Sequence, residues 1–396
     1  MRRSAAIAAA LVILALQACT PAVEPSGTGE PTVPVEPERT TTEVTTGLSL
    51  TEITDPAGPY KIFVLTMTPS SVLTLDVGLP RKSLGGQGPL TRIAARHDAI
   101  AAVNGDYGTS SGRPLHLFAM DGELYQTTLI NRSGRNFAMS SDERRAYFGK
   151  PDASIVIERP LAGRTIDVQR WNDGAPAPAQ VSGYTDRAAG LEHPPENACS
   201  ARLMPDGGPD WESGEQGVRR AFTVVKVRCG EDPVDVEPDT VVVSASINGR
   251  RAAEVGDLRM GERVILTWSI GWPGVLDAIG GSALLIEDGE IVAEKCHGHY
   301  ECWRHPRTGV GITADDRILL VVVDGRQEDY SIGMRREEFA ELMQELGAVD
   351  ALALDGGGSS TMVIEDGLVN HPPDGEERPI MSALMILAGP DPDEKL

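Results

Sequence analysis

Polar and apolar residues alternate with a period of two along much of this chain, the pattern of strands with one buried face. Lys61 to Thr68 and Val72 to Gly78 read as a pair of strands. Leu115 to Met120 and Glu123 to Gln126 flank Asp121-Gly122, a dipeptide suited to a two-residue hairpin turn. The arrangement recurs around Asp288-Gly289 (Ala283 to Glu287, Glu290 to Glu294) and Asp366-Gly367 (Val363 to Glu365, Leu368 to Asn370). Val224 to Arg228, Val241 to Ile247 and Arg263 to Ile270 read as further strands. Ala188 to Glu215, rich in Pro and Gly, reads as an irregular insertion.

The period changes once. Phe339, Leu342, Met343 and Leu346 form a stripe at helical spacing, predicting a helix over Arg335 to Leu346 that stops at Gly347. Continuous apolar runs flank it: Ile318 to Val323, ending in Asp324-Gly325-Arg326, and Ala351 to Leu354, ending in Asp355. Such runs predict a parallel pair joined by a right-handed crossover. The expected class is therefore α+β: a mixed, strand-rich sheet with a parallel strand-helix-strand crossover near the C-terminus and several β-hairpins. In that arrangement Asp324 and Asp355 leave the same sheet edge, roughly 5–10 Å apart given a strand spacing of about 4.8 Å. Two carboxylates at that range can divide acid and base work or hold a divalent cation.

Asp355 is followed by Gly356, Gly357, Gly358, Ser359, Ser360 and Thr361. Three glycines let a ligand approach the backbone, successive N–H groups can nest an anion, and the hydroxyls add donors. No Lys follows, so this is not a P-loop. Ile100 to Val103 similarly ends in Asn104, Gly105 and Asp106. Arg307, Arg326 and Arg378 are candidate phosphate ligands, since guanidinium binds phosphate bidentately. Asn370 and Glu377 precede the last apolar run, Ile380 to Leu387.

Composition changes the picture mainly at the N-terminus. Arg2 and Arg3 precede an apolar run, Ala5 to Leu16, that is long enough for a signal sequence and too short to cross a bilayer. Leu16-Gln17-Ala18-Cys19 then resembles a lipobox, in which Cys19 receives the lipid. Residues 1–19 are expected to be a lipoprotein signal, 20–50 a disordered Pro/Thr/Glu-rich tether, and 51–390 a catalytic domain interrupted near 188–215. An exported protein, anchored to a bacterial membrane and facing away from the cytoplasm, follows. The net charge is −22, and the mature chain keeps no basic run, which argues against a nucleic-acid partner. Cys199, Cys229, Cys296 and Cys302 predict two disulfides for an exported chain; Cys199–Cys229 with Cys296–Cys302 closes the shortest loops. Zinc bound by the Cys296-to-His305 stretch is the rival reading.

The ordered set of motifs resembles the phosphodiester glycosidase family over roughly residues 60 to 390. It comprises Ala102 to Tyr107, Arg113-Pro114 with Asp121 to Leu124, Ala278 to Gly281, Arg307 to Gly311, Val321 to Arg326, Leu354 to Thr361, and Asn370 with Glu377-Arg378-Pro379. The resemblance implies hydrolysis of a sugar-1-phosphodiester between the anomeric carbon and the phosphate oxygen, on a phosphorylated glycan. On that reading Asp324 and Asp355 do the carboxylate chemistry. Arg307, Arg326, Arg378 and the glycine loop hold phosphate or sugar. Asn104, Asp106, Asn370 and Glu377 orient the sugar or take part directly. Tyr107-Gly108 stands where many relatives have an aromatic pair. Two other classes compete: a non-catalytic polysaccharide binder, and a metal-dependent phosphodiesterase.

Overall fold

The computed structural model describes residues 36–389, apart from 71, 128–134, 141, 143–144, 189, 208–211, 215–216 and 294–302. The expected signal sequence, Cys19, Cys296 and Cys302 all lie outside the described residues.

Short-range turn chemistry builds most of the hairpins. Asp121 and Gly122 both take positive φ (54° and 74°), as do Asp288 and Gly289 (51° and 82°), the backbone that a type I′ turn requires. The third hairpin turns one residue earlier than its Asp-Gly pair suggests. Ile364 pairs with Gly367, so Glu365 (φ 52°) and Asp366 occupy the turn.

The strands of the described residues form four sheets. The largest has the order Glu38–Thr45, Leu48–Asp55, Tyr60–Met67, Ile318–Val323, Arg307–Thr313, Ala348–Ala353, Ala283–Glu287, Glu290–Ile291. A nine-stranded sheet packs around Trp171, Phe222 and Trp268. Two five-stranded sheets complete the fold, one carrying Ala101–Asn104, the other Phe118–Met120 and Val275–Gly281.

This architecture overturns the α+β expectation. The described residues hold three α-helices among more than twenty strands, and the strand pairings are antiparallel except for Arg170–Trp171 beside Ser182–Gly183. Ile318–Val323 and Ala348–Ala353 are not parallel neighbours. Each pairs antiparallel with Arg307–Thr313, which lies between them. The apolar run misled because it reports burial on both faces, and an antiparallel strand meets that condition too. Ile318, Leu320 and Val322 enter the main core, while Leu319, Val321 and Val323 pack with Phe339 and Met343 of helix Arg336–Glu345.

Three further expectations change. Tyr60–Met67 and Leu73–Gly78 do not pair with each other: the first joins Leu48–Asp55 and Ile318–Val323, the second joins Ala383–Ala388. Their alternating pattern specifies a buried face, not the lateral neighbour. Glu38–Thr45 is a paired strand, so ordered chain begins before residue 50. The supposed insertion contains Ala198–Pro205, whose small residues hide the periodicity. That strand places Cys199 directly opposite Cys229, and the two are disulfide-bonded.

Candidate active site

Both flanking strands run against Arg307–Thr313, so their C-terminal ends lie together at its start. Val323 pairs with Arg307 and Ala353 with Gly309, which brings Asp324 and Asp355 to one rim. The two carboxylates have different surroundings there. Asp324 is fully buried. Its Oδ1 accepts from Asn370 Nδ2 (2.7 Å); its Oδ2 accepts from the His371 backbone N–H (2.9 Å) and the Tyr330 hydroxyl (3.2 Å). Burial raises its pKa, and the three donors oppose that rise without cancelling it.

Asp355 is half-buried and opens the glycine loop. Its pKa is pushed up to about 7, first by burial and then by the negative charge of Asp106; a Ser359 hydrogen bond and the Arg378 charge pull the other way. Its electrostatic carboxylate partner is thus Asp106, not Asp324.

The glycines are required by what lies over them. A Cβ on Gly357, which has φ +65°, would stand 2.8 Å from an Arg326 guanidinium nitrogen. A Cβ on Gly358 would overlap the Arg378 guanidinium. Two cations therefore lie flat against this loop. Arg326 itself has φ 62°, a conformation that costs a non-glycine residue about 1–3 kcal/mol and recurs at functional sites. Its Nε donates to His305 Nδ1 (3.2 Å). Arg378 also donates to Asp374 on the exposed side (2.9 Å).

The other expected site residues act as ties. Asn104 is buried; it donates to the Asp355 carbonyl (2.7 Å) and accepts from Thr308 Oγ1 (2.8 Å) and the Thr361 N–H (3.0 Å). Asn370 accepts from the Met362 N–H (2.8 Å) while donating to Asp324 and the Ser360 carbonyl. Arg307 donates through Nε to the Met334 carbonyl (2.8 Å) and passes beneath Gly356. Thr361 Oγ1 donates to the Ser359 carbonyl (3.1 Å). The buried Ser360 hydroxyl makes no hydrogen bond among the described residues. Glu377 accepts from both the N–H (2.9 Å) and the hydroxyl (2.6 Å) of Thr91, in the first turn of helix Leu90–Arg96, where a carboxylate complements the helix dipole.

One residue escaped the sequence reading. His116 places its backbone N–H 2.9 Å from Asp106 Oδ2 and its Nδ1 2.7 Å from Asp106 Oδ1, and both residues are buried. It stands between Leu115 and Leu117, where alternation gives it no distinction from an outward polar residue. The group of His, Cys, Asp and Glu side chains close enough to hold a cation, among the described residues, is Asp76, Asp121 and Asp277, which includes neither Asp324 nor Asp355. A cleft of about 810 Å³ also lies elsewhere, lined by Tyr125, Arg187 and Phe222.

Acidic groups, guanidinium groups and a glycine loop thus share one rim of antiparallel sheets. The model of the phosphodiester glycosidase family matches residues 222–387, which contain Asp324, Arg326, Asp355, the glycine loop and Arg378, and the chain resembles this family over that region. Among curated proteins, the N-acetylglucosamine-1-phosphodiester alpha-N-acetylglucosaminidase of Bos taurus is 27% identical over 312 residues, 67% of this chain and 58% of that enzyme. The SPbeta prophage-derived protein YomE of Bacillus subtilis is 36% identical over 90 residues, 23% of this chain and 14% of that protein. The chain thus spans less than two thirds of the length of these relatives. The crystal structure of a hypothetical protein from Synechocystis superposes with a TM-score of 0.67 at 20% identity, covering 89% of this chain and 64% of that one, a likeness of fold.

Proposed function

We propose that this protein is an exported hydrolase, anchored through a lipidated Cys19, that cleaves sugar-1-phosphodiesters at the bond between the anomeric carbon and the phosphate oxygen. One observation carries the reading: Asp355, with its pKa near 7, adjoins a glycine loop covered by the guanidinium groups of Arg326 and Arg378. The bovine relative, named for action on an N-acetylglucosamine-1-phosphodiester, and the family match support it.

The chemistry suits that substrate class. Arg326 and Arg378 offer paired donors to phosphate oxygens. A carboxyl group still protonated near pH 7 can donate to a phosphate that its anion would repel. As the glycosidic bond lengthens, charge grows on the departing phosphate oxygen and on the oxocarbenium-like ring. The cations neutralise the first, and Asp355 passes its proton to that oxygen. Matching of the acid's pKa to the working pH makes such a transfer efficient.

Incubating the full chain with aryl and alkyl sugar-1-phosphodiesters in ¹⁸O-water tests this. Label in the sugar is expected. Label in the phosphate would mean attack at phosphorus and would replace this reading with a phosphodiesterase. Radiolabelled lipid should enter the wild-type chain in a bacterial host and not Cys19→Ala; equal labelling would refute the anchor.

A further inference from the structure

The four acidic residues that the sequence puts forward do not supply two free carboxylates. Asp324 accepts from three donors, Glu377 is held by Thr91, and both Asp106 oxygens are held by His116. Burial and the Asp106 charge push the pKa of Asp355 up to about 7. Hydrolysis still needs a group to receive the proton of the attacking water.

The Asp106 clamp has such a group at its far end. An imidazole whose Nδ1–H donates to a carboxylate keeps its lone pair on Nε2, and the carboxylate fixes that tautomer. His116 has this arrangement, and its Nε2 makes no hydrogen bond among the described residues. The pair is also built against the Asp355 strand. A Cβ on Gly280 would press on His116 Cβ and stand 2.7 Å from Asp106 Oδ2; one on Gly281 would stand 2.5 Å from the Ala353 carbonyl, two residues before Asp355. The Asp355 N–H donates to the carbonyl of Gly105, next to Asp106 (2.9 Å). Three segments that share no sequence neighbourhood are thus drawn together without side-chain volume between them.

We propose that His116 is the general base of the hydrolysis, with Asp106 as its positioning residue. This rests on the glycosidase reading given above. Water adds its oxygen to the anomeric carbon and loses one proton to His116 Nε2. The carbon–oxygen bond breaks with its electron pair on the phosphate oxygen, which takes the Asp355 proton. Solvent then returns the His116 proton to Asp355, and the site is restored.

Three variants of the full chain test the proposal: His116→Asn, whose amide can still donate to Asp106, His116→Ala and Asp106→Asn. His116→Asn is expected to lower kcat on a sugar-1-phosphodiester about 100-fold or more, with KM and melting temperature close to wild type. Added imidazole should restore part of the His116→Ala rate in a saturable way and leave Asp106→Asn unrescued. A His116→Asn variant that keeps most of its kcat, or a His116→Ala variant indifferent to imidazole, would overturn the proposal. If the variants do not fold, the ¹⁵N resonance of His116 Nε2 in the wild-type chain decides. It should move on titration with inorganic phosphate, and an unmoved resonance refutes the assignment. Absence of wild-type turnover would instead refute the glycosidase reading, while the phosphate titration still places His116 inside or outside the site.

Discussion

Asn370 Nδ2 donates to Asp324 Oδ1 at 2.7 Å inside the protein, and the same amide bonds the Ser360 carbonyl of the glycine loop. Asp324 is thereby a fastening point between the end of its strand and the loop that carries Asp355. Losing one partner of a buried charged hydrogen bond typically costs about 2–4 kcal/mol. Asn370→Ala should lower stability by that amount in urea denaturation and reduce turnover through the displaced loop. Unchanged stability would show that the buried amide is dispensable.

Asp355→Asn separates chemistry from folding. Turnover should fall at least 100-fold, while stability rises. The sign follows from the raised pKa: between about 4 and 7 the folded state binds more protons than the unfolded one, so stability declines as pH rises through that window. The amide removes this cost, so the variant should match wild type near pH 4 and exceed it near pH 8. Solvent screening of a half-buried group limits the gain to about 1–2 kcal/mol. Thermal melts at the two pH values measure it.

Gly358→Ala should move the Arg378 guanidinium off the loop, because a methyl group claims its place. KM should rise about tenfold or more with a smaller change in kcat, and the affinity for inorganic phosphate should fall in parallel. Steady-state kinetics with a phosphate titration read both. Gly357→Ala carries the further penalty of its positive φ, so it should be less stable than Gly358→Ala.

Replacing Cys199 and Cys229 together by Ser opens a link between residues 30 apart in sequence. The chain-entropy relation puts the loss at about 3–4 kcal/mol for a loop of that length. The nine-stranded sheet should soften while the Asp355 rim, on other sheets, keeps its turnover at moderate temperature. Denaturation and activity measured on one sample test both halves.

Local features of this molecule were legible in the sequence, and lateral ones were not. Asp-Gly pairs located the hairpins because positive φ is a property of single residues. The apolar stripe located helix Arg336–Glu345, and the two runs beside it placed Asp324 and Asp355 on a common rim. That placement survived the failure of the parallel pairing, since two strands antiparallel to a shared neighbour run the same way. The sequence carried no sign that Arg307–Thr313 lies between them, because alternation fixes faces and not partners. Asp324 could not be told from Asp355 either. Burial and the donors from Asn370, His371 and Tyr330 distinguish them, and these arrive from separate segments. His116 was overlooked for the same reason: its partner lies ten residues away and is reached only through the fold.

The strand order also has a practical side. The candidate site gathers where Arg307 and Val323 pair, and the opposite rim of that sheet carries the exposed turn at Asp315 and Asp316, beside the turns at Thr46-Gly47 and Asp288-Gly289. A peptide tag or fluorophore grafted between Asp315 and Asp316 would sit a full strand length from Asp324 and Arg307. That turn is the natural attachment point for following this protein at work.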